Sequence, residues 1–381
     1  MRSSQHPPRR LRVLVVGPTM RQPGGVGMFN EILLNSPLRE QFCLRHLDTS
    51  RPPQYARQIG RFAPINLLLF AQQLVQLLIL IIGWRPQIMH EPITDGIAFF
   101  KESAFMGLAR IFGVRVIGHL HGNGFVALAS HPRPEMRWLV RRAMRLPNVI
   151  IALSEGWEAT LRQLIAPDLK IVVLPNTVTN DIAARACIER PERADPRFQV
   201  LFLGSLGERK GVPDILKAAA LVRQQQPEIQ FILAGPPEAG AVQGLIREAQ
   251  ERPAGTDNLR FAGLVTGTAK VRLLRESNVL ILPSYAENFP IVVLEALAAG
   301  LALIVTPVGA LAEVLESGRN CLFVTPGDYS ALAQHIVWLA QHPNICRAMG
   351  DANQALFREQ YAPEVVFERL GKLYRATVPS A

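Results

Sequence analysis

The sequence predicts an α/β protein made of two doubly wound domains that face one another. Three observations carry that prediction. Short apolar runs ending in glycine or proline alternate with helical stretches along nearly the whole chain. The runs are continuous rather than alternating with polar residues, as in parallel strands covered on both faces. A charged, proline-bearing stretch at residues 177–197 divides the alternation into two series.

The first series has expected strands at 11–16, 87–90, 115–119, 149–153 and 171–174. The second has them at 199–203, 229–234, 259–261, 279–282 and 302–305. The boundary is placed near residue 180, giving domains 1–180 and 181–381. In open parallel sheets ligands bind beyond the carboxyl ends of the strands, so the loops after the strands are the places to search for chemistry.

The 381 residues are 49% hydrophobic and 19% charged, which supplies sizeable cores and excludes a disordered or collagen-like chain. The net charge of +10 is unevenly placed. Residues 1–180 hold 21 Lys and Arg against 10 Asp and Glu, and residues 181–381 hold 20 against 21. An excess confined to the first half points to an anionic partner there, nucleic acid or a membrane surface.

Cys43, Cys187, Cys321 and Cys346 are scattered, without a Cys-x-x-Cys pair, which argues against a zinc site or disulfide framework and fits a reducing compartment. The basic start runs directly into the first expected strand, too short an apolar stretch for a signal peptide. The one long apolar run, residues 66–82, is interrupted by Gln72, Gln73 and Gln76 and is read as a buried or interfacial helix rather than a span.

Four loops carry the chemistry. After the first strand, Gly24-Gly25-Val26-Gly27 precedes a helix expected to begin near Met28. Glycines there let backbone amides approach a phosphate or sugar. It is not the G-x-G-x-x-G dinucleotide fingerprint. After the strand at 115–119 come His119 and His121, one of which is expected to face the ligand; a neutral imidazole can hold a hydroxyl there. After the strand at 199–203 come Gly204 and the adjacent cations Arg209 and Lys210, suited to a diphosphate leaving group.

The fourth loop is the most informative. Glu287 and Glu295 stand eight positions apart around Pro290, which is expected to open a helix running to Ala299. Glu287 falls in the loop and Glu295 in the second turn of a helix that is otherwise apolar all round. A carboxylate buried in such a helix needs a polar partner. The simplest is a pair of ligand hydroxyls, as on a ribose; an internal Arg is the alternative. The free amides of Ile291 and Val292 would point at a phosphate.

The ordered set of glycine loop, His121-Gly122, Gly204…Arg209-Lys210-Gly211 and Glu287…Glu295 resembles the retaining glycosyltransferases of family four, which have the GT-B fold. The resemblance covers nearly the whole chain. LPNTV resembles the family's segment closing the first domain, FAGLV the loop beside the nucleotide base, and TPVGALAEVLESGRNCLFV the stretch after the second glutamate.

The resemblance implies an acceptor-binding domain over 1–180, a nucleotide-sugar domain over 181–381, and a last helix near 363–375 crossing back to the first domain. It implies a UDP- or GDP-sugar donor and no metal. Glu295 would bind the ribose, Arg209 and Lys210 the diphosphate, Glu287 the donor sugar, and His121 the reacting sugar. Gly25, Gly27, Gly204, Asn288, Phe289, Ile291 and Val292 would line the donor. Ala302 stands where proline is common, Cys321 where glycine is common, and Asn288 where glycine is frequent; the last bears on sugar selection.

The expected reaction is sugar transfer with retention to a saccharide or lipid-linked acceptor, in bacterial polysaccharide or glycolipid assembly. Arg137, Arg141 and Arg145, with Arg142 beside them, form a basic amphipathic helix suited to an anionic membrane surface. Arg51, Arg57 and Arg61 precede the long apolar helix and repeat the theme. A cytoplasmic enzyme peripheral to the inner membrane face is expected. The rival readings are a sugar-nucleotide epimerase or phosphorylase on the same fold, a binding-only protein, and a nucleic-acid-binding protein; the last lacks aromatic interleaving in its basic stripe.

Overall fold

The computed structural model describes residues 10–20, 24–50, 64–122, 124–186, 197–238, 240–251 and 258–379. The chain divides into two units. The first comprises Met1–Pro175 with Glu364–Ala381, and the second Asn176–Pro363. The division thus falls slightly before residue 180, and residues 364–381 belong to the first unit.

The first unit holds a six-stranded parallel sheet. Its strands are β1 (Arg12–Gly17), β2 (Cys43–Asp48), β3 (Ile88–Ile93), β4 (Arg115–Leu120), β5 (Val149–Ala152) and β6 (Ile171–Val173), in the order β2-β1-β3-β4-β5-β6. The central strands are buried along nearly their whole length; β1 therefore reads as an unbroken apolar run, whereas β3, of sequence IMHEPI, buries His90 and Glu91 as well. β2 has no such run. It is an edge strand of sequence CLRHLD, half exposed, and the sequence gives little sign of it.

The second unit repeats the plan with β7 (Gln199–Leu203), β8 (Gln230–Ala234), β9 (Leu259–Gly263), β10 (Val279–Leu282), β11 (Ala302–Val305) and β12 (Cys321–Phe323), in the order β12-β11-β10-β7-β8-β9. β12 is the other strand that the pattern does not reveal, a three-residue edge. The stretch 177–197, expected as a linker, contains the helix Asn180–Ala186; residues 187–196 lie outside the described residues.

Strand order locates the ligand crevices. In the first sheet, connections leave β1 toward β2 and then return to β3 on its other side. In the second, they run from β7 through β8 to β9, and β10 then lands on the far side of β7. Loops at such a switch point diverge and open a crevice at the carboxyl edge. The β1/β3 and β7/β10 edges are therefore the two places the topology opens.

The last helix, Pro363–Thr377, packs into the first unit. Tyr374 is fully buried, its ring edge-on to Phe42 with centroids 5.3 Å apart. Arg375 donates to the Gln41 side chain and Arg369 to the Val173 carbonyl at 2.7 Å. The apolar run anticipated at 66–82 forms the helix Pro64–Trp84. One side is buried, with Leu77 and Ile81 entering the core, and the other is exposed and apolar, with Leu67, Leu68, Val75, Ile79 and Ile82. It is the one described helix long and apolar enough to cross a membrane by length and composition.

Candidate active site

The second unit's crevice is built on glycines that only glycine can occupy. Gly235, after β8, has φ +155, and a Cβ there would lie 1.7 Å from the Gly204 carbonyl oxygen. The close approach lets Leu206 N–H donate to the Pro236 carbonyl at 2.8 Å, and Glu238 N–H to Leu206 at 3.0 Å. Gly211, with φ +73, caps the helix Val212–Gln225, and a Cβ there would meet the Pro283 carbonyl oxygen at 2.2 Å. That contact presses the Arg209-Lys210 turn against the end of β10.

The two cations then meet the loop after β10. Tyr285 N–H donates to the Arg209 carbonyl at 2.9 Å, and the Arg209 guanidinium donates to the Ala286 carbonyl at 2.7 Å. Lys210 Nζ pairs with Glu287 Oε1 at 2.5 Å, and the Arg209 guanidinium lies 4.0 Å from the same oxygen. Lys210 and Glu287 are mostly buried, whereas Arg209 is half exposed. A third loop supports the carboxylate. Gly309 (φ +59) lies under Glu287 and Asn288, a Cβ there falling 2.4 Å from both carbonyl oxygens, and Ala310 N–H donates to Asn288 at 2.8 Å.

The helix beyond runs Ile291–Ala298, with Pro290 as its extended N-cap (φ −71, ψ 122) rather than its first helical residue. The fixed φ of proline suits either position, so sequence alone does not separate them. Ile291 and Val292 sit in the first turn, where amides have no acceptor within the helix. Phe289 is buried edge-on to Tyr361, with centroids 5.6 Å apart. Its carbonyl accepts from Asn176 Nδ2 at 2.9 Å, while Thr177 Oγ1 donates to the Tyr361 carbonyl at 2.6 Å. The LPNTV segment thus anchors the start of this helix.

Glu295 is 1% exposed. Its internal partner is a lysine, not the arginine weighed from sequence: Lys270 Nζ lies 2.6 Å from Oε1. Burial raises the Glu295 pKa, and Lys270 opposes that shift. Oε2 is buried without a hydrogen-bond partner among the described residues. One oxygen is neutralised and the other is left with its hydrogen-bonding capacity unused. Arg209, Lys210, Glu287, Asn288, the two helix amides and Glu295 therefore all sit around the loops of the β7/β10 edge. Gly204, directly after β7, shapes that edge.

The first unit's crevice holds the histidines. Its helix begins at Gly25, earlier than expected, so Gly25 and Gly27 lie in the first turn behind Gly24 as N-cap. Gly25 is exposed with open space beside it, and Gly27 is buried. Phe29, two positions on, lies against both His119 and His121, with centroids 4.5 and 4.9 Å away. His119 and His121 are not divided between inside and outside. Residues i and i+2 at a strand end share a face, and the two rings lie 4.2 Å apart. His121 is partly exposed and His119 is not.

A third histidine completes the cluster. His90, on β3, lies with Nε2 3.1 Å from His119 Nδ1 and Nδ1 2.7 Å from the Tyr374 hydroxyl. Burial, with a smaller push from His121, lowers the His90 pKa to about 3. Burial lowers His121 to about 3 and His119 well below its usual value, so all three rings are neutral near pH 7. Proton counting then selects one arrangement. Tyr374 O–H donates to His90 Nδ1, His90 Nε2–H donates to His119 Nδ1, and His119 carries its proton on Nε2. The reverse order would leave the tyrosine hydrogen without an acceptor among the described residues. His119 Nε2 and His121 Nε2 are both buried and without partners there.

Three residues of these sites leave no local signal in the sequence: Lys270, His90 and Tyr374. Each reaches its partner from a distant element.

Two Rossmann-like units, each opening a polar crevice at its switch point, define a protein of the GT-B class. Residues 8–177 match the model of the glycosyl transferase 4-like domain, and residues 186–355 that of the glycosyl transferases group 1. Glycogen synthase of Mycobacterium tuberculosis is 25% identical over 303 residues, 77% of this chain and 70% of that protein. Sucrose-phosphate synthase from Thermosynechococcus elongatus superposes with TM-score 0.75 at 20% identity, over 96% of this chain and 99% of that one. Anabaena HepE, solved in complex with UDP-glucose, does so with TM-score 0.69 at 17% identity, over 96% and 100%. The chain belongs to the glycosyl transferases group 1 and is a GT4-like glycosyltransferase.

Proposed function

We propose that this glycosyltransferase moves a hexosyl group from a UDP- or GDP-sugar to an acceptor hydroxyl, with retention at the anomeric carbon. The observation that carries the reading is the grouping at the β7/β10 edge: two adjacent cations, a paired loop carboxylate, first-turn amides, and a buried carboxylate with one oxygen unpaired. That set is complementary to a diphosphate, a sugar and a ribose diol. HepE, solved with UDP-glucose, gives the same kind of donor a precedent on this fold.

In this reading the bond from the anomeric carbon to the β-phosphate oxygen breaks, and the bond to the acceptor oxygen forms on the same face. The acceptor proton goes to the departing phosphate oxygen. Arg209, Lys210 and the amides of Ile291 and Val292 stabilise the charge on the leaving diphosphate, a role cations can fill without a metal. Glu287 holds donor hydroxyls once Lys210 turns toward phosphate. Glu295 Oε2 accepts from the ribose. Gly25, Gly27 and Gly204 let backbone approach the donor, Asn288 and Phe289 border the sugar, and His121 stands at the reacting carbon. The acceptor is a saccharide or a lipid-linked sugar, used in polysaccharide or glycolipid assembly by a cytoplasmic enzyme peripheral to an anionic membrane.

Incubation with a panel of UDP- and GDP-sugars, with and without a lipid acceptor, tests the reading. Release of UDP or GDP dependent on acceptor is expected from one donor. An epimerase would change the sugar without releasing diphosphate. No turnover with any donor, or wild-type rates in both Arg209→Ala and Lys210→Ala, would sink it.

A further inference from the structure

We infer that the first unit docks on an anionic lipid bilayer through the helices Pro64–Trp84 and Gly96–Ile111, the first lying in the plane of the interface. The inference deepens the proposed function, since it names the surface at which a lipid-linked acceptor would be met. It rests on that reading for the acceptor alone.

Helix Pro64–Trp84 contains no charged residue in 21 positions. One side is fixed to the unit. Leu77 and Ile81 are in the core, and Gln73 donates to the Thr49 carbonyl at 3.3 Å. The other side presents Leu67 (70% exposed), Leu68, Val75, Ile79 (64%) and Ile82. A surface helix of a soluble domain would carry charge there. The neighbouring helix extends the patch with Ile97, Ile111 (80%) and Phe112. A groove of about 350 Å³, lined by Ile81, Ile82, Arg85, Pro86, Phe112 and Val114, joins the two helix ends.

Charge identifies the occupant. Arg85, in the left-handed region at φ +51, ends the first helix beside the groove, and Arg110 ends the second. Both are exposed, and neither has an acidic partner among the described residues. Glu91 and Glu102 of the same segment are buried. An apolar strip with arginines at its edge suits acyl chains below and lipid phosphates at headgroup level. A second copy packed by a twofold would gather four of these cations into one interface, with no acidic partner among the described residues for Arg85 or Arg110 of either copy.

The helix is about 32 Å long at 1.5 Å per residue, long enough to span. Spanning would tear Gln73, Leu77 and Ile81 out of the unit, so it lies flat. The arginine row of helix Pro134–Ala143, with Arg145 just beyond its end, is less available. Arg137 donates to the His131 and Pro132 carbonyls, Arg141 to Leu164, and Arg145 pairs with Asp168 at 3.0 Å. Arg51, Arg57 and Arg61, the other cations anticipated at a membrane, lie outside the described residues.

Flotation of the full chain with phosphatidylcholine vesicles, with and without phosphatidylglycerol, tests the inference. Wild type should float with the anionic vesicles. Leu68→Ser/Ile79→Ser/Ile82→Ser should abolish binding. Arg85→Gln/Arg110→Gln should weaken it roughly thirtyfold, at about 1 kcal/mol per arginine near the surface. Arg141→Gln/Arg142→Gln should leave binding nearly unchanged. UDP affinity and thermal melting should be equal in all four proteins, which separates failure here from failure of the donor site. The inference is overturned if wild type does not float, if the serine variant floats equally, or if the Arg141/Arg142 variant alone loses binding. It is also overturned if sedimentation shows a wild-type dimer that the serine variant dissolves.

Discussion

Replacing Lys270 by Met removes the counter-charge of Glu295. The pair is short, 2.6 Å, with Glu295 1% and Lys270 15% exposed. Removing one partner of a buried pair costs about 3–5 kcal/mol, and the partial exposure of Lys270 puts the expected loss near about 3 kcal/mol. The loss depends on pH in a defined direction. Burial already raises the Glu295 pKa, and without the lysine it rises further. A carboxyl whose folded pKa is raised contributes fully below its unfolded value and loses that contribution as pH climbs through the folded one. The deficit of Lys270→Met should therefore be smaller near about pH 5 than near about pH 8, because the raised pKa favours protonation of Glu295 as pH falls. Urea denaturation at both pH values measures it. Adding Glu295→Gln removes the stranded charge and should restore most of the stability at the higher pH. UDP binding should not return, because a neutral amide replaces a charged acceptor worth about 1.5–3 kcal/mol, roughly tenfold to a hundredfold in affinity. A deficit independent of pH, or a double variant no more stable than the single, would refute the reasoning.

Three further outcomes follow from the same geometry. Lys210→Met should lower turnover about a hundredfold or more by removing a donor to the leaving group, and should also lower the melting temperature because Glu287 loses its paired cation; steady-state kinetics with the active donor, corrected for the folded fraction, would show it. Gly211→Ala should cost about 3 kcal/mol or more, because a Cβ there meets the Pro283 carbonyl in a left-handed backbone, and a urea midpoint close to wild type would contradict that. Glu102 is raised to about 7, mainly by burial and against its two hydrogen bonds from Thr94, so its charged form is held at a penalty above that pH. Glu102→Gln should stabilise the protein by about 3 kcal/mol near about pH 8 and by almost nothing near about pH 4.5, as read from denaturation across that range.

The fold was legible because buried parallel strands betray themselves as short, largely apolar runs, and ten of the twelve strands among the described residues are anticipated in this way. Cys43–Asp48 and Cys321–Phe323 do not, since an edge strand needs only one neighbour and little apolar surface. The site was legible where function and local structure coincide in one loop. Arg209, Lys210 and Glu287 stand out because cations and a carboxylate end strands beside glycines. Glu295 stands out because a carboxylate interrupts an apolar helix. What completes those residues was hidden. Lys270 comes from a helix 25 positions earlier, as one more lysine on an exposed-looking segment. His90 becomes informative only when β3 is laid beside β4. In the arginine row, periodicity shows where the side chains point but not that Arg137 and Arg141 find carbonyls and Arg145 finds Asp168.

The first unit is discontinuous in sequence: Tyr374, which fills the space beside His90 and Phe42, arrives only at the end of the chain. During synthesis the residues 176–363 form an uninterrupted unit and can finish folding on emergence. The residues made first must wait with an unplugged core and an uncapped histidine until the last helix leaves the ribosome. The half translated earliest is thus completed last. A premature stop anywhere before Tyr374 therefore damages the amino-terminal half, not only the carboxyl-terminal one.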